Sequence, residues 1–114
     1  MTIKLPILII AYNRQVEFFS TFNSLTNELC SRVYISIDGA KNTTDLEEIE
    51  KIELYIQMRK DLDVVMKKSP VNQGCKVGVV SALDWFFENE EEGIILEDDC
   101  LPNKSFFDFV AKHR

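Results

Sequence analysis

The sequence predicts a three-layer α/β/α domain built on a mainly parallel sheet. Three observations predict it. Four short apolar runs, rich in Ile, Val and Leu, alternate with stretches whose apolar residues recur at helical spacing. The first run, Leu5 to Tyr12, is apolar without alternation, as a strand covered on both faces must be. The length of 114 residues, with 46% hydrophobic and 28% charged side chains, suits one domain over 1–114 and is too apolar for disorder.

Each element follows from its residues. Leu5 to Tyr12 is the first strand, and Asn13 is a good cap for the helix after it. Phe18, Phe22, Leu25 and Leu29 form one apolar stripe of that helix. Val33 to Asp38 is the second strand, β-branched and stopped by Gly39. Thr44 with Glu47 reads as a capping box, and Leu46, Ile49, Ile52 and Ile56 mark a second helix ending near Arg59-Lys60. Leu62 to Met66 is a shorter third strand, and Lys67 to Gln73 is a loop. Gly74 opens a third helix whose expected inner face is Val77, Val80, Leu83 (or Asp84) and Phe87. Its far end is acidic, Glu88 to Glu92, and Gly93 closes it. Ile94 to Glu97 is the fourth strand. Pro102 and Asn103 introduce a last helix with Phe106, Phe109 and Val110 inward.

Strand–helix alternation of this kind builds parallel sheets through right-handed crossovers. In the common 3-2-1-4 order, strands 1 and 4 are neighbours. A switch point then lies between them, and ligands bind beyond the carboxyl ends of the strands there. Asn13-Arg14, Asp38-Gly39 and Glu97-Asp98-Asp99 collect at those ends.

Composition excludes several classes. Thirteen Lys and Arg against 19 Asp and Glu leave a net charge of −6, so there is no basic footprint for nucleic acid. Three widely spaced cysteines and one histidine, His113, offer neither a disulfide framework nor a zinc site, and a reducing cytoplasm is the expected location. The longest apolar run, eight residues, is too short to span a bilayer, and it lacks the cleavage site of a signal peptide.

Glu97-Asp98-Asp99 carries the sharpest chemistry. Three adjacent carboxylates after a buried strand repel one another, and a hard divalent cation is the simplest compensation. A turn whose acids cap the next helix is the plainer reading. Arg14, at a strand end and a helix start, can fork onto a phosphate, or serve as a surface residue. Asp38-Gly39 can accept a hydrogen bond from a base or ribose, or be an ordinary turn. Asn72-Gln73-Gly74-Cys75-Lys76 offers close backbone approach at Gly74 and a charge at Lys76. It does not match the Gly-x-x-x-x-Gly-Lys-Ser/Thr phosphate loop, and Gly-x-Gly-x-x-Gly is absent. Cys75 has no histidine near it in sequence to activate it. Cys75 and Cys100 read as packing residues. Trp85, Phe86 and Phe87 read as core rather than base-stacking residues. The two Asn-x-Ser/Thr triplets, at Asn42 and Asn103, are chance matches in a cytoplasmic protein.

These segments resemble a known family. Pro6 to Arg14 looks like the first strand of GT-A-fold glycosyltransferases, especially the branch of animal N-acetylglucosaminyltransferase I and related bacterial sugar transferases. Ile35-Ser36-Ile37-Asp38-Gly39 resembles that branch's second strand. Ile94 to Pro102 resembles its acidic metal motif, followed by Ser105 to Phe109, and Asn72 to Cys75 is similar to the bacterial relatives. The resemblance covers nearly the whole chain, with four motifs in order and spacing.

The resemblance implies the Rossmann-like half of a GT-A fold and a site for a nucleotide-diphosphate sugar, with a UDP-sugar favoured. Ala11, Asn13 and Arg14 would meet the base and diphosphate, and Asp38 the base. Gly74 and Lys76 would lie near the nucleotide edge, and Asp98 would face the ribose or sugar. Asp99 would hold Mn²⁺ or Mg²⁺, which stabilises the departing diphosphate as a Lewis acid. The acceptor would be a glycan, lipid or protein. In family members a later half supplies the acceptor site. The chain is thus expected to be an N-terminal donor-binding part, inactive by itself as a transferase. Two other classes fit less well. A phosphoacceptor signalling domain needs an acidic pair where this chain has Asn13-Arg14, and a sugar-nucleotide pyrophosphorylase needs a glycine- and arginine-rich loop there. The intact acidic triplet speaks against a domain that only binds nucleotide or scaffolds.

Overall fold

A computed structural model of the chain describes residues 4–97. Its elements run β1 (Leu5–Ala11), α1 (Gln15–Asn23), β2 (Cys30–Ile37), α2 (Thr43–Met58), β3 (Val64–Lys68), α3 (Cys75–Asn89) and β4 (Ile94–Glu97). The sheet has the order β3-β2-β1-β4 and every pairing is parallel. The expected order therefore holds. The expected last helix, with Phe106, Phe109 and Val110, lies outside the described residues.

β1 is central, and its side chains alternate between two cores. Leu5, Ile7, Ile9 and Ala11 join Phe18 and Phe22 of α1 and Ile49, Ile52 and Ile56 of α2 on one face. Leu8 meets Tyr34 of β2 and Ala82 and Phe86 of α3 on the other. Two helices thus cover one face and one helix the other, as right-handed crossovers in this strand order require.

Several boundaries differ from expectation for local reasons. α1 stops at Asn23, well before Leu29. The hydroxyl of Ser24 turns back to the Thr21 carbonyl at 2.6 Å, and a turn at Thr26 takes the amides of Leu29 and Cys30 at 3.0 and 3.1 Å. Leu25 is still fully buried, but from the turn rather than from the helix. α2 begins two residues earlier than the Thr44–Glu47 box implies. Asn42 is its cap and accepts the Asp45 amide at 2.8 Å, and Leu46 is 46% exposed rather than inward. β2 starts at Cys30 instead of Val33. β3 is shifted two residues onward, so Lys67 and Lys68 belong to the strand and pair with Ser36 and Ile37. In α3 the inner residues are Ala82 and Phe86, while Val77, Val80 and Phe87 are 55%, 52% and 49% exposed.

Candidate functional site

A cleft of about 380 Å³ opens at the carboxyl ends of β1 and β2. The β1–α1 connection contributes Tyr12, Asn13 and Arg14. The β2 end contributes Ser36 to Asp38, the β3 end and following loop contribute Lys67 to Gly74, α3 contributes Gly78 and Val79, and β4 contributes Glu97. Of the residues singled out in the sequence, Ala11, Asn13, Arg14, Asp38, Gly74 and Glu97 come together here. Lys76, in the first turn of α3, is exposed and is not part of the cleft wall. Asp98 and Asp99 lie outside the described residues, and so do Cys100 and His113.

The floor beside β1 is organised by Asp45. This buried carboxylate in the first turn of α2 accepts the Tyr12 hydroxyl, the Asn13 side-chain amide at 2.8 Å and the Lys41 backbone amide at 3.1 Å. Asn13 therefore does not cap α1. Arg14 occupies the cap position without a side-chain capping bond, and the Asn13 amide nitrogen is committed to Asp45. The Tyr12 hydroxyl, then the Asn13 amide, hold the Asp45 carboxyl below the usual aspartate range. Burial, and then the bond to Asp45, push the Tyr12 phenol up to about 12. At neutral pH the pair is a fixed anion and a neutral phenol, suited to shaping the cleft rather than to proton transfer.

The opposite wall is organised by Asp38. Its Oδ1 accepts the amides of Gly39 and Gln73, both at 2.8 Å. Its Oδ2 accepts the Asn72 side-chain amide and the Gly74 backbone amide, both at 3.2 Å. Asn72 also donates to the Gly39 carbonyl at 2.8 Å. Gly39 must be glycine for this loop to seat: an added Cβ would stand 2.3 Å from the Val71 carbonyl carbon. Gly74, at φ 84°, supplies the left-handed turn that starts α3.

The charge around the cleft runs against that of the chain. Among the described residues Arg14, Lys41, Lys67 and Lys68 line it with Asp38 and Glu97 opposing them, although the net charge of the chain is −6. Lys68 is paired with Glu53 of α2 at 2.8 Å, and the Lys67 ammonium lies 5.9 Å from the centre of the Trp85 ring. The sequence reading missed these lysines because it ended strand 3 at Met66. Two lysines following Val64-Val65-Met66 were the available signal for a positively charged strand end. It also missed Asp45, three residues after Asn42, because Thr44–Glu47 fits the same capping pattern.

Among the described residues no group of three His, Cys, Asp or Glu is placed to hold a metal ion. Glu97, the member of the acidic triplet among the described residues, lines the cleft. Cys30 is no candidate nucleophile: it is buried in the core, and burial pushes its thiol up to about 11. Among the described residues no helix is long and apolar enough to cross a membrane. No protein-family model matches the chain, and no curated protein matches it.

Proposed function

We propose that this cleft binds the nucleotide-diphosphate part of a sugar donor, and that the chain is the donor-binding part of a glycosyltransferase. One observation carries the reading. Segments far apart in sequence, all quoted above for their likeness to GT-A enzymes, line one cleft beyond the carboxyl ends of β1 and β2. The excess of cations there suits a diphosphate, which Arg14 can grip with two parallel bonds.

In this reading Ala11, Asn13 and Arg14 border the base and diphosphate, and Asp38 and Gly74 form the facing wall. Lys76 adds positive charge just outside the nucleotide edge. Asp98 faces the ribose or sugar. Asp99, with Glu97 and Asp98 beside it, would hold Mn²⁺ or Mg²⁺, for which hard carboxylate oxygens are the right donors. When bound, such an ion offsets the charge of the leaving diphosphate. The chain's own described residues bind and orient the donor. The acceptor would be a glycan, lipid or protein.

Calorimetric titration of the chain with UDP, with and without Mn²⁺, beside Asp99→Ala tests the reading. The expected result is Mn²⁺-dependent binding that the variant loses. A folded chain that takes up neither UDP nor GDP, in either condition, overturns it.

A further inference from the structure

We propose that Asp38 is a positioning residue: its carboxylate clamps the β3–α3 loop as one wall of the cleft and does not itself read the ligand's base. The inference rests on the diphosphate reading of the cleft. A carboxylate has about four acceptor sites, and here four donors occupy them: the amides of Gly39, Gln73 and Gly74 and the side chain of Asn72. Three of these donors come from the loop before α3. A base hydrogen-bonding to Asp38 would have to displace one of them, and for the three partly buried donors, Gly39, Asn72 and Gly74, that loss offsets the new bond.

The arrangement is built for the clamp. Gly39 admits the Val71–Asn72 backbone where any Cβ would collide. The carboxylate rests on the first turn of α3, where a Cβ added at Gly78 would meet Oδ2 in ordinary contact at 3.6 Å. Asn72 bridges from Asp38 to the Gly39 carbonyl. The carboxylate thus ties the end of β2 to the start of α3, and the wall formed by Gln73, Gly74 and Gly78 keeps its place only while those bonds hold.

Asp38→Asn is nearly isosteric and tests the point. Whichever way its amide turns, one oxygen's two donors face an NH₂ group instead of an acceptor. Three probes divide the roles: pyrophosphate has no base, uridine has no phosphate, and UDP has both. A clamp predicts that Asp38→Asn weakens UDP and pyrophosphate by the same factor, about tenfold for one or two lost bonds. It also predicts faster amide hydrogen exchange at Gln73 and Gly74 without ligand. Asn72→Ala should move both readouts the same way while leaving the carboxylate intact. Loss confined to uridine and UDP, with pyrophosphate affinity and exchange unchanged, overturns the inference. If the wild-type chain binds neither UDP nor pyrophosphate, the donor reading fails and the ligand role of Asp38 falls with it. The exchange rates then report separately on the clamp.

Discussion

Arg59 closes the gap between two helices with one side chain. Its guanidinium donates to the Phe22 carbonyl in the last turn of α1 at 2.8 Å and to the Leu25 carbonyl just beyond it at 2.6 Å. It forks onto Asp61 at 2.9 and 3.0 Å and lies 5.2 Å from the centre of the Phe22 ring. Arg59→Ala should cost about 1–3 kcal/mol, because the two carbonyls lose a charged donor. Arg59→Lys should restore only part of this, because an ammonium lacks the planar fork. Urea unfolding checks both. Asp45 and Tyr12 set the pH limits of the same fold. The Asp45 pKa is lowered in the folded state, so its contribution is complete above the unfolded aspartate value of about 3.9 and is lost as pH falls through the lowered one. The Tyr12 pKa is raised from 10.0 to about 12, so its contribution is complete below 10.0 and is lost as pH rises through about 12. Urea midpoints measured across pH should therefore fall at both ends. Asp45→Asn should flatten the acid limb and Tyr12→Phe the alkaline one.

At the scale of elements, α3 is the instructive case. Between Cys75 and Phe87 apolar residues fall on two sides of the helix, so spacing alone identifies a helix but not which side turns inward. Tyr34 selects the side. Its ring meets those of Trp85 and Phe86 edge-on, with centroids 5.3 and 5.1 Å away, and its hydroxyl donates to Glu90 at 2.6 Å. That partner lies some fifty positions earlier in the chain, beyond the reach of any local pattern. Phe86→Ala should cost about 3–5 kcal/mol as a buried aromatic truncation. Phe87→Ala, half-exposed, should cost less than about 1 kcal/mol. The same denaturation experiment compares them. What was legible is equally specific. β1 announced itself by an unbroken apolar run, and α2 by Ile49, Ile52 and Ile56. Asn13, Arg14, Asp38 and Gly74 were marked by position at element ends. The roles of Asn13 and Asp38 were not legible, because their hydrogen-bond partners, Asp45 and the residues 72–74, come from other segments.

For the whole molecule, the strand order sorts the backbone by protection. β1 lies between two neighbours and is buried on both faces, whereas β3 is an edge with three of its five residues exposed. Native-state hydrogen exchange should therefore find the β1 and β2 amides opening only with global unfolding, and the β3 amides opening by a cheaper local route. Equal protection across all strands would contradict that. The alternation of strand and helix, taken with the common 3-2-1-4 order, pointed to the carboxyl ends of the strands; the cleft there extends from the expected β1–β4 switch point across the ends of β2 and β3. One tie crosses that topology. Asp45 serves Tyr12 and Asn13, which belong to a segment more than thirty positions away. Replacing Asp45 takes the acceptor from both, and replacing Tyr12 or Asn13 takes a donor from the buried carboxylate. Across related sequences, positions 12, 13 and 45 should consequently be inherited and replaced as a set, and a library that varies them one at a time should recover few survivors while one that varies them jointly recovers many.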